Sequence, residues 1–261
     1  MEKRKSFDIV RSVLFALIVR EVRGRFGVNR LGAFWFIFEP LAHITVLMTI
    51  FTLVRGQAHY GPPLPMFLIT GIIPFLLFKN IVLKGMEAVS ANKALFAYRQ
   101  IKPFDTIIAR AIVESTLMIC VYVALSFALG FWANYDVGIH HPLKWLAVYS
   151  IGIILSVGLA LIFCVIGEAM PEVKGFIRIL FMPLYFMSCV IVPLWVIPSH
   201  FRHWIWWNPF LHLIDGAREA TFLYYPDVNG VDLNYAASVA LITLFIGITM
   251  YRFRREQLQA I

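Results

Sequence analysis

Charge is what this chain has least of. Asp, Glu, Lys and Arg make up 15% of its 261 residues, where soluble domains carry about 25%. Hydrophobic residues reach 60% against roughly 45–50% in soluble domains. Too little polar surface remains to cover a core of that size, which excludes a water-soluble globular domain and makes lipid the solvent for much of the surface. Cysteine is nearly absent: Cys120, Cys164 and Cys189 each sit inside an apolar run. They read as small buried hydrophobes, not as a disulfide framework or metal ligands. A phosphate-binding loop is missing too. Gly27 and Gly32 have its glycine spacing, but Ala33 and Phe34 stand where Lys and Ser/Thr are needed, and the loop precedes a span instead of opening a helix after a strand. Nor is there an internal repeat, a low-complexity tract or a soluble domain. The mid-depth carboxylates and inverted repeats of an ion-coupled carrier are also lacking. Energy for uphill work must then come from a partner, and no cofactor is implied.

What is present is a set of six apolar segments, at 33–54, 66–83, 107–132, 145–168, 177–197 and 235–251. Each is near the ~20 residues that a spanning helix needs. Ahead of them, residues 1–30 interleave Lys3, Arg4, Lys5, Arg11, Arg20, Arg23, Arg25 and Arg30 with Phe7, Ile9, Val10, Val13, Leu14 and Leu17, the pattern of a helix lying in the cytoplasmic interface among anionic headgroups. Its apolar run VLFALIV is closed by Arg20 and has no small-residue cleavage site, so it is neither a signal peptide nor a span. With the N-terminus inside, only Arg55, Lys144, Arg202 and Arg218 of the 23 basic residues fall outside. That asymmetry orients both termini to the cytoplasm, leaving residues 252–261 as a cytoplasmic tail. The net charge of +8 thus reports orientation and does not call for nucleic acid.

The connection between the fifth and sixth segments holds the most unusual stretch, His203 to Phe222. Trp204, Trp206 and Trp207 suit the headgroup zone, where a ring is apolar on its body and hydrogen-bonded at its edge; stacking platforms for sugar rings are the other reading. Asn208-Pro209 breaks the chain, and a short helix follows with Leu211 and Ile214 on a greasy face and His212, Asp215, Arg218 and Glu219 on a polar face turned to water. A connection this long favours re-entrant or interfacial helices over an unstructured loop. His212, Asp215 and Glu219 share that helical face, the one place where acid–base or metal chemistry has candidates. Inside the first segment, Glu39 and His43 share a face near Pro40, either lining a watery passage or, for Glu39, pairing with Arg30. Glu168, Glu172, Lys174 and Arg178 read as a structural charge cluster at an inner helix end. The inner connection Lys84 to Arg110 contains a short helix from Lys93 to Arg99, started by Ser90 to Asn92 and ended by Pro103, which either docks into a groove on a soluble protein or is a solvated basic linker.

Arg30-Leu31-Gly32, Trp35, Glu39-Pro40-Leu41, then Thr70 to Phe75, Asn92-Lys93, Tyr98-Arg99, Pro103, Asn208-Pro209, His212 and Arg218 occur in an order and spacing that resembles the membrane subunit of ABC-2 type polysaccharide exporters. The resemblance covers nearly the whole chain and is nearest to the capsular polysaccharide export permeases of Gram-negative bacteria. It implies an all-α integral membrane fold forming one domain over 1–261, with an interface helix over 1–30, six transmembrane helices over 33–251, and re-entrant helices between spans five and six. It implies a homodimer in the bacterial inner membrane, a separate ATP-binding cassette subunit, periplasmic and outer-membrane export partners, and a channel for a lipid-linked acidic polysaccharide. By the same resemblance Asn92, Lys93, Tyr98 and Arg99 couple to the ATPase. The stretch holding Trp204, Trp206, Trp207, Asn208 and Arg218 is implied to form the periplasmic re-entrant region, and Trp35, Glu39 and His43 are candidates for the channel or gate. Arg20, Arg23, Arg25 and Arg30 would attract a phosphate or acidic sugar at the cytoplasmic mouth. The alternatives are a permease for O-antigen, teichoic acid or a small drug. Of a different class is a membrane-embedded lipid- or sugar-modifying enzyme that uses His212, Asp215 and Glu219.

Overall fold

The computed structural model describes residues 6–26, 30–55, 61–98 and 100–260, with side chains described from Asp8 onward except at 26–37, 52, 54–60, 99, 257 and 259–261. Among them there is helix and no strand. The helices are α1 (Ser6–Phe26), α2 (Arg30–Arg55), α3 (Leu64–Met86), α4 (Pro103–Ala133), α5 (Pro142–Ala169), α6 (Val173–Met187), α7 (Ser199–Arg202), α8 (Pro209–Thr221) and α9 (Leu233–Ala260), with short 3-10 turns at Ser90–Ala97 and Leu194–Val196. Among the described residues, four helices are long and apolar enough to cross a membrane: α3, α4, α5 and Leu233–Glu256 of α9.

Proline opens several of these helices. Pro103, Pro142 and Pro209 stand in the first turns of α4, α5 and α8, where the missing N–H would have no helical partner anyway. Asp105 adds a cap to α4 by accepting a 3.1 Å bond from the Lys102 N–H, and Asn134, at φ 53°, closes that helix in the left-handed region.

The expected fifth segment, 177–197, is not one helix. α6 spans 15 residues, about 22 Å at 1.5 Å per residue, short of the ~30 Å hydrocarbon layer. It contains Pro183 and stops at Ser188, and Cys189 takes φ 55°. The apolar run masks this break because hydropathy does not register backbone conformation.

α3 is the centre of the bundle. Every residue from Pro65 to Phe78 is buried, against α4 on one side and α5 and α8 on others. Phe75 meets the rings of Phe181, Tyr185 and Phe210 at centroid distances of 6.5, 5.1 and 6.2 Å. Phe78 touches Phe210 and Tyr149. α5 and α9 pack backbone to backbone through glycine. A Cβ on Gly158 would lie 2.6 Å from the Leu244 nitrogen, and one on Gly247 would lie 2.7 Å from the Gly158 carbonyl oxygen. Helices that cannot gain from hydrophobic exclusion in lipid use such small residues to approach closely.

Candidate functional site

Polar side chains gather at three depths of the bundle. At the end where α3 begins, α8 is inserted between α3, α5 and α9, and nearly all of it is buried. The expectation of a polar stripe turned to water is therefore wrong. His212, Asp215 and Arg218 are 2%, 3% and 0% exposed, and each has an internal partner. The Arg218 guanidinium donates to the Cys189 and Val190 carbonyls at 2.7 and 2.6 Å and lies 3.6 Å over the Phe67 ring. Those carbonyls belong to the break after α6, where helix-terminal oxygens lack helical donors. Asn208 grips the same break: its amide donates to the Ser188 hydroxyl at 2.9 Å, while its Oδ1 accepts from the Phe210 N–H and caps α8. Gly71 leaves the space that Arg218 fills, since a Cβ there would overlap the guanidinium.

His212 bridges two loops. Its Nδ1 accepts from the Asp232 N–H at 3.1 Å, so its Nε2 carries the proton and donates to the Trp206 carbonyl at 2.9 Å. Burial pushes this imidazole below its ordinary pKa, against the opposing pull of the Trp206 carbonyl and the Asp232 charge. Asp215 accepts from the Tyr225 hydroxyl at 2.6 Å, and burial raises its carboxyl despite that bond and Arg218. Glu219 instead pairs with Lys144 on α5. The three acid–base candidates thus have separate structural partners, and no group of three His, Cys, Asp or Glu among the described residues is placed to hold a metal. The tryptophans divide as well. Trp204 and Trp207 are 75% and 57% exposed. Trp206 stacks on His212 and covers Gly230.

The opposite end of α3 carries a charge network. Glu114 of α4 is fully buried, with Lys84 at 2.7 Å and Arg25 of α1 as its ion-pair partners. Glu21 pairs with Arg25 at 2.9 Å and Arg110 at 3.3 Å, and Arg110 also donates to the Lys84 carbonyl at 2.6 Å. Burial works against the Glu21 carboxylate, but Arg110 and Arg25 outweigh it and hold its pKa below the ordinary value. Arg20 donates at 2.6 Å to Asn92, itself buried and bonded at 2.7 Å to the Ala88 carbonyl. α1 is therefore fastened to α3, α4 and the 3-10 turn Ser90–Ala97 at once. That turn replaces the helix expected at 93–99. Lys93 and Tyr98 are exposed on it and just beyond it, and Arg99 lies outside the described residues. Nearby, Lys174 pairs with Glu168 at 2.6 Å, and Arg178 of α6 pairs with Glu87, so the expected charge cluster also ties α6 to the end of α3.

Between these ends, His43 of α2 shares a 3.0 Å hydrogen bond with the Tyr185 hydroxyl of α6. Glu39 is exposed on α2, and both it and Lys79 of α3 act electrostatically on the His43 ring. Of the basic residues expected at the cytoplasmic mouth, Arg23 is exposed, Arg20 and Arg25 are engaged as described, and the Arg30 side chain lies outside the described residues, as does that of Trp35. Glu114 and Tyr185 were not singled out as site residues in the sequence, because each sits inside an apolar run and its partners come from other helices.

Comparison with known proteins gives this arrangement a setting. The ABC-2 type transporter family matches residues 12–222. The chain is 41% identical over 253 residues to the polysialic acid transport protein KpsM of Escherichia coli, covering 97% of both chains. It is 28% identical over 187 residues to the capsule polysaccharide export inner-membrane protein CtrC of Neisseria meningitidis serogroup B, covering 69% of each. Against the O-antigen export system permease protein RfbA of Myxococcus xanthus it is 23% identical over 253 residues, 95% of this chain and 94% of that one.

Proposed function

Because the chain belongs to the ABC-2 type transporter family, we propose that it is the membrane permease of an ATP-driven exporter that moves lipid-linked capsular polysaccharide from cytoplasm to periplasm. One observation carries the substrate: the 41% identity to a polysialic acid transport protein over 97% of both chains. The chain is a transport subunit, and ATP hydrolysis falls to a separate ATP-binding cassette subunit.

In this reading the permease is a homodimer in the bacterial inner membrane, and 1–261 is one transmembrane domain. α2 and α6 join the four long apolar helices as spans one and five. α2, at 26 residues, is about 39 Å long at 1.5 Å per residue. The short α6 reaches across with help from residues 188–197, and α7 and α8 form the re-entrant region at the periplasmic side. α1 lies along the cytoplasmic interface. Support for this layering comes from α3, where the Arg218 cluster near Phe67 and the Glu114 cluster at Lys84 lie about 26 Å apart along the axis at 1.5 Å per residue, close to the thickness of the hydrocarbon layer. The exposed Lys93 and Tyr98 meet the ATPase, held in place through Asn92 and Arg20. Arg20, Arg23, Arg25 and Arg30 surround the cytoplasmic mouth, and Trp35, Glu39 and His43 belong to the passage. Trp204 and Trp207 anchor the outer end in headgroups.

The test is complementation. A capsule-producing strain lacking its own permease, supplied with this chain, regains surface polysaccharide, and the chain co-purifies with an ATP-binding cassette subunit. Restoration of O-antigen export alone would instead favour O-antigen as the substrate. A chain that never associates with an ATPase would sink both.

A further inference from the structure

Lys79 is out of place. α3 is long and apolar enough to span the membrane, and Lys79 sits within it, one helical turn past the buried Phe75 and on the same face. Counted at about 1.5 Å per residue, it lies roughly 18 Å from Phe67 and 8 Å from Lys84. Both charge networks are therefore out of its reach. Lys84, on the same helix, has Glu114 as its counter-ion. Lys79 has no carboxylate within ion-pairing distance among the described residues, though it is half-buried. A cation in that position is costly unless something compensates it, and intramembrane charges typically mark the path of a substrate or ion.

Its surroundings indicate which substrate. Phe75 carries the Tyr185 ring edge-on at 5.1 Å, Tyr185 reaches His43 at 3.0 Å, and His43 feels both Lys79 and Glu39. α2, α3 and α6 thereby form a seam with hydroxyl, imidazole and aromatic edges at its middle and, towards the Lys84 end, a cation that has no ion-pair partner among the described residues. Glu39 on α2 is exposed one helical turn before His43. Hydroxyl and ring edges give sugars weak, non-selective contacts. A cation favours an acidic chain over a neutral one.

We propose that Lys79 is a charge-selecting residue for the transported polymer, meeting the carboxylate or phosphodiester groups of an acidic glycan as they pass the α2–α3–α6 seam. This rests on the reading of the chain as a polysaccharide permease and adds the residue that reads the polymer's charge. A lone ammonium suits the task because it is a point charge that binds and releases, whereas a bidentate guanidinium pair would hold the polymer.

The test uses the full-length protein in nanodiscs with three probes: an oligosialic acid without lipid, a neutral dextran oligomer of matching length, and lysophosphatidylglycerol. The wild type binds the oligosialic acid with a salt-dependent affinity, Lys79→Met weakens that binding about tenfold, and Lys79→Arg keeps it within about threefold. Dextran binding and thermal unfolding change little in either variant. Unaltered oligosialic acid binding in Lys79→Met overturns the proposal and identifies Lys79 as a side chain that merely reaches the cytoplasmic interface. Dependence on Lys79 for the lysolipid alone overturns it too, moving the charge contact to the anchor. Capsule export in the complemented strain separates the two levels: loss in the wild type is a failure of the permease reading, whereas equal export of acidic capsule by wild type and Lys79→Met is a failure of this inference only.

Discussion

At the scale of single residues, Arg218 shows how a buried charge can be structural. It has no carboxylate in an ion pair among the described residues; it has two carbonyls of a broken helix and an aromatic face. Arg218→Leu keeps much of the volume but leaves the Cys189 and Val190 carbonyls unpaired inside the protein, a cost of roughly 2–4 kcal/mol. Thermal unfolding in detergent should fall by several degrees, with loss of export. Arg218→Lys should recover only part, because an ammonium does not bridge both carbonyls while lying flat on Phe67. An unchanged melting temperature in Arg218→Leu would falsify this structural role of Arg218. His212 gives a second prediction. Its pKa is depressed in the folded state by burial, so its contribution to stability is present above the unfolded value near about 6.5 and is lost as pH falls below it. Nitrogen-15 spectra of histidine-labelled protein should show the Nε2–H tautomer of His212 persisting below pH ~6.5. A ring that titrates at or above that value would contradict the two-sided bond to Asp232 and Trp206.

At the scale of elements, the joints are backbone contacts and ion pairs of different strength. Gly158→Leu places a side chain against the backbone at Thr243 and Leu244, which cannot swing aside as a side-chain tip can. α5 and α9 must separate, and the protein should be recovered poorly from membranes or unfold at markedly lower temperature. At the other end, Glu114→Gln removes the anion that Arg25 and Lys84 share; breaking a fully buried pair costs about 3–5 kcal/mol, and the loss here is smaller because Arg25 keeps Glu21 and Lys84 is partly exposed. Hydrogen exchange should then rise across α1 with α5 and α9 unaffected; equal protection of α1 in both proteins would mean that apolar contacts alone hold it. The same elements divide what was legible in the sequence from what was not. α3, α4, α5 and α9 show in hydropathy because lipid demands long apolar helices and the demand is local. α8 was located correctly but turned the wrong way: its polar spacing is the same whether water or Cys189, Trp206 and Tyr225 satisfy those groups. The break after α6 depends on the φ of Cys189 and on donors from α8, and the Glu114 network on three helices meeting. No window of sequence contains either.

At the scale of the whole molecule, the polar clusters at the two ends of α3 support the proposed placement of the membrane, but they are nearly symmetric in kind and say nothing of which end is inside. The proposed orientation rests on the excess of Lys and Arg, which puts Lys93 in the cytoplasm and Trp204 in the periplasm. Both are exposed, and cysteine is scarce enough to make labelling clean: Cys164 and Cys189 are buried, and Cys120 is exposed on α4 within an apolar run. With the three native cysteines replaced, a membrane-impermeant maleimide applied to cells with a permeabilised outer membrane should modify Trp204→Cys and spare Lys93→Cys until the inner membrane is broken. The reverse pattern would invert the topology, and with it the direction of transport assigned to the bundle. In inverted membrane vesicles Lys93→Cys should label readily alone and more slowly once the ATPase is bound, because the turn that presents it is held by Asn92 and Arg20 at the surface proposed to dock the ATPase. Equal labelling with and without the ATPase would place the contact elsewhere on the cytoplasmic face and leave Arg20 and Asn92 a purely structural pair.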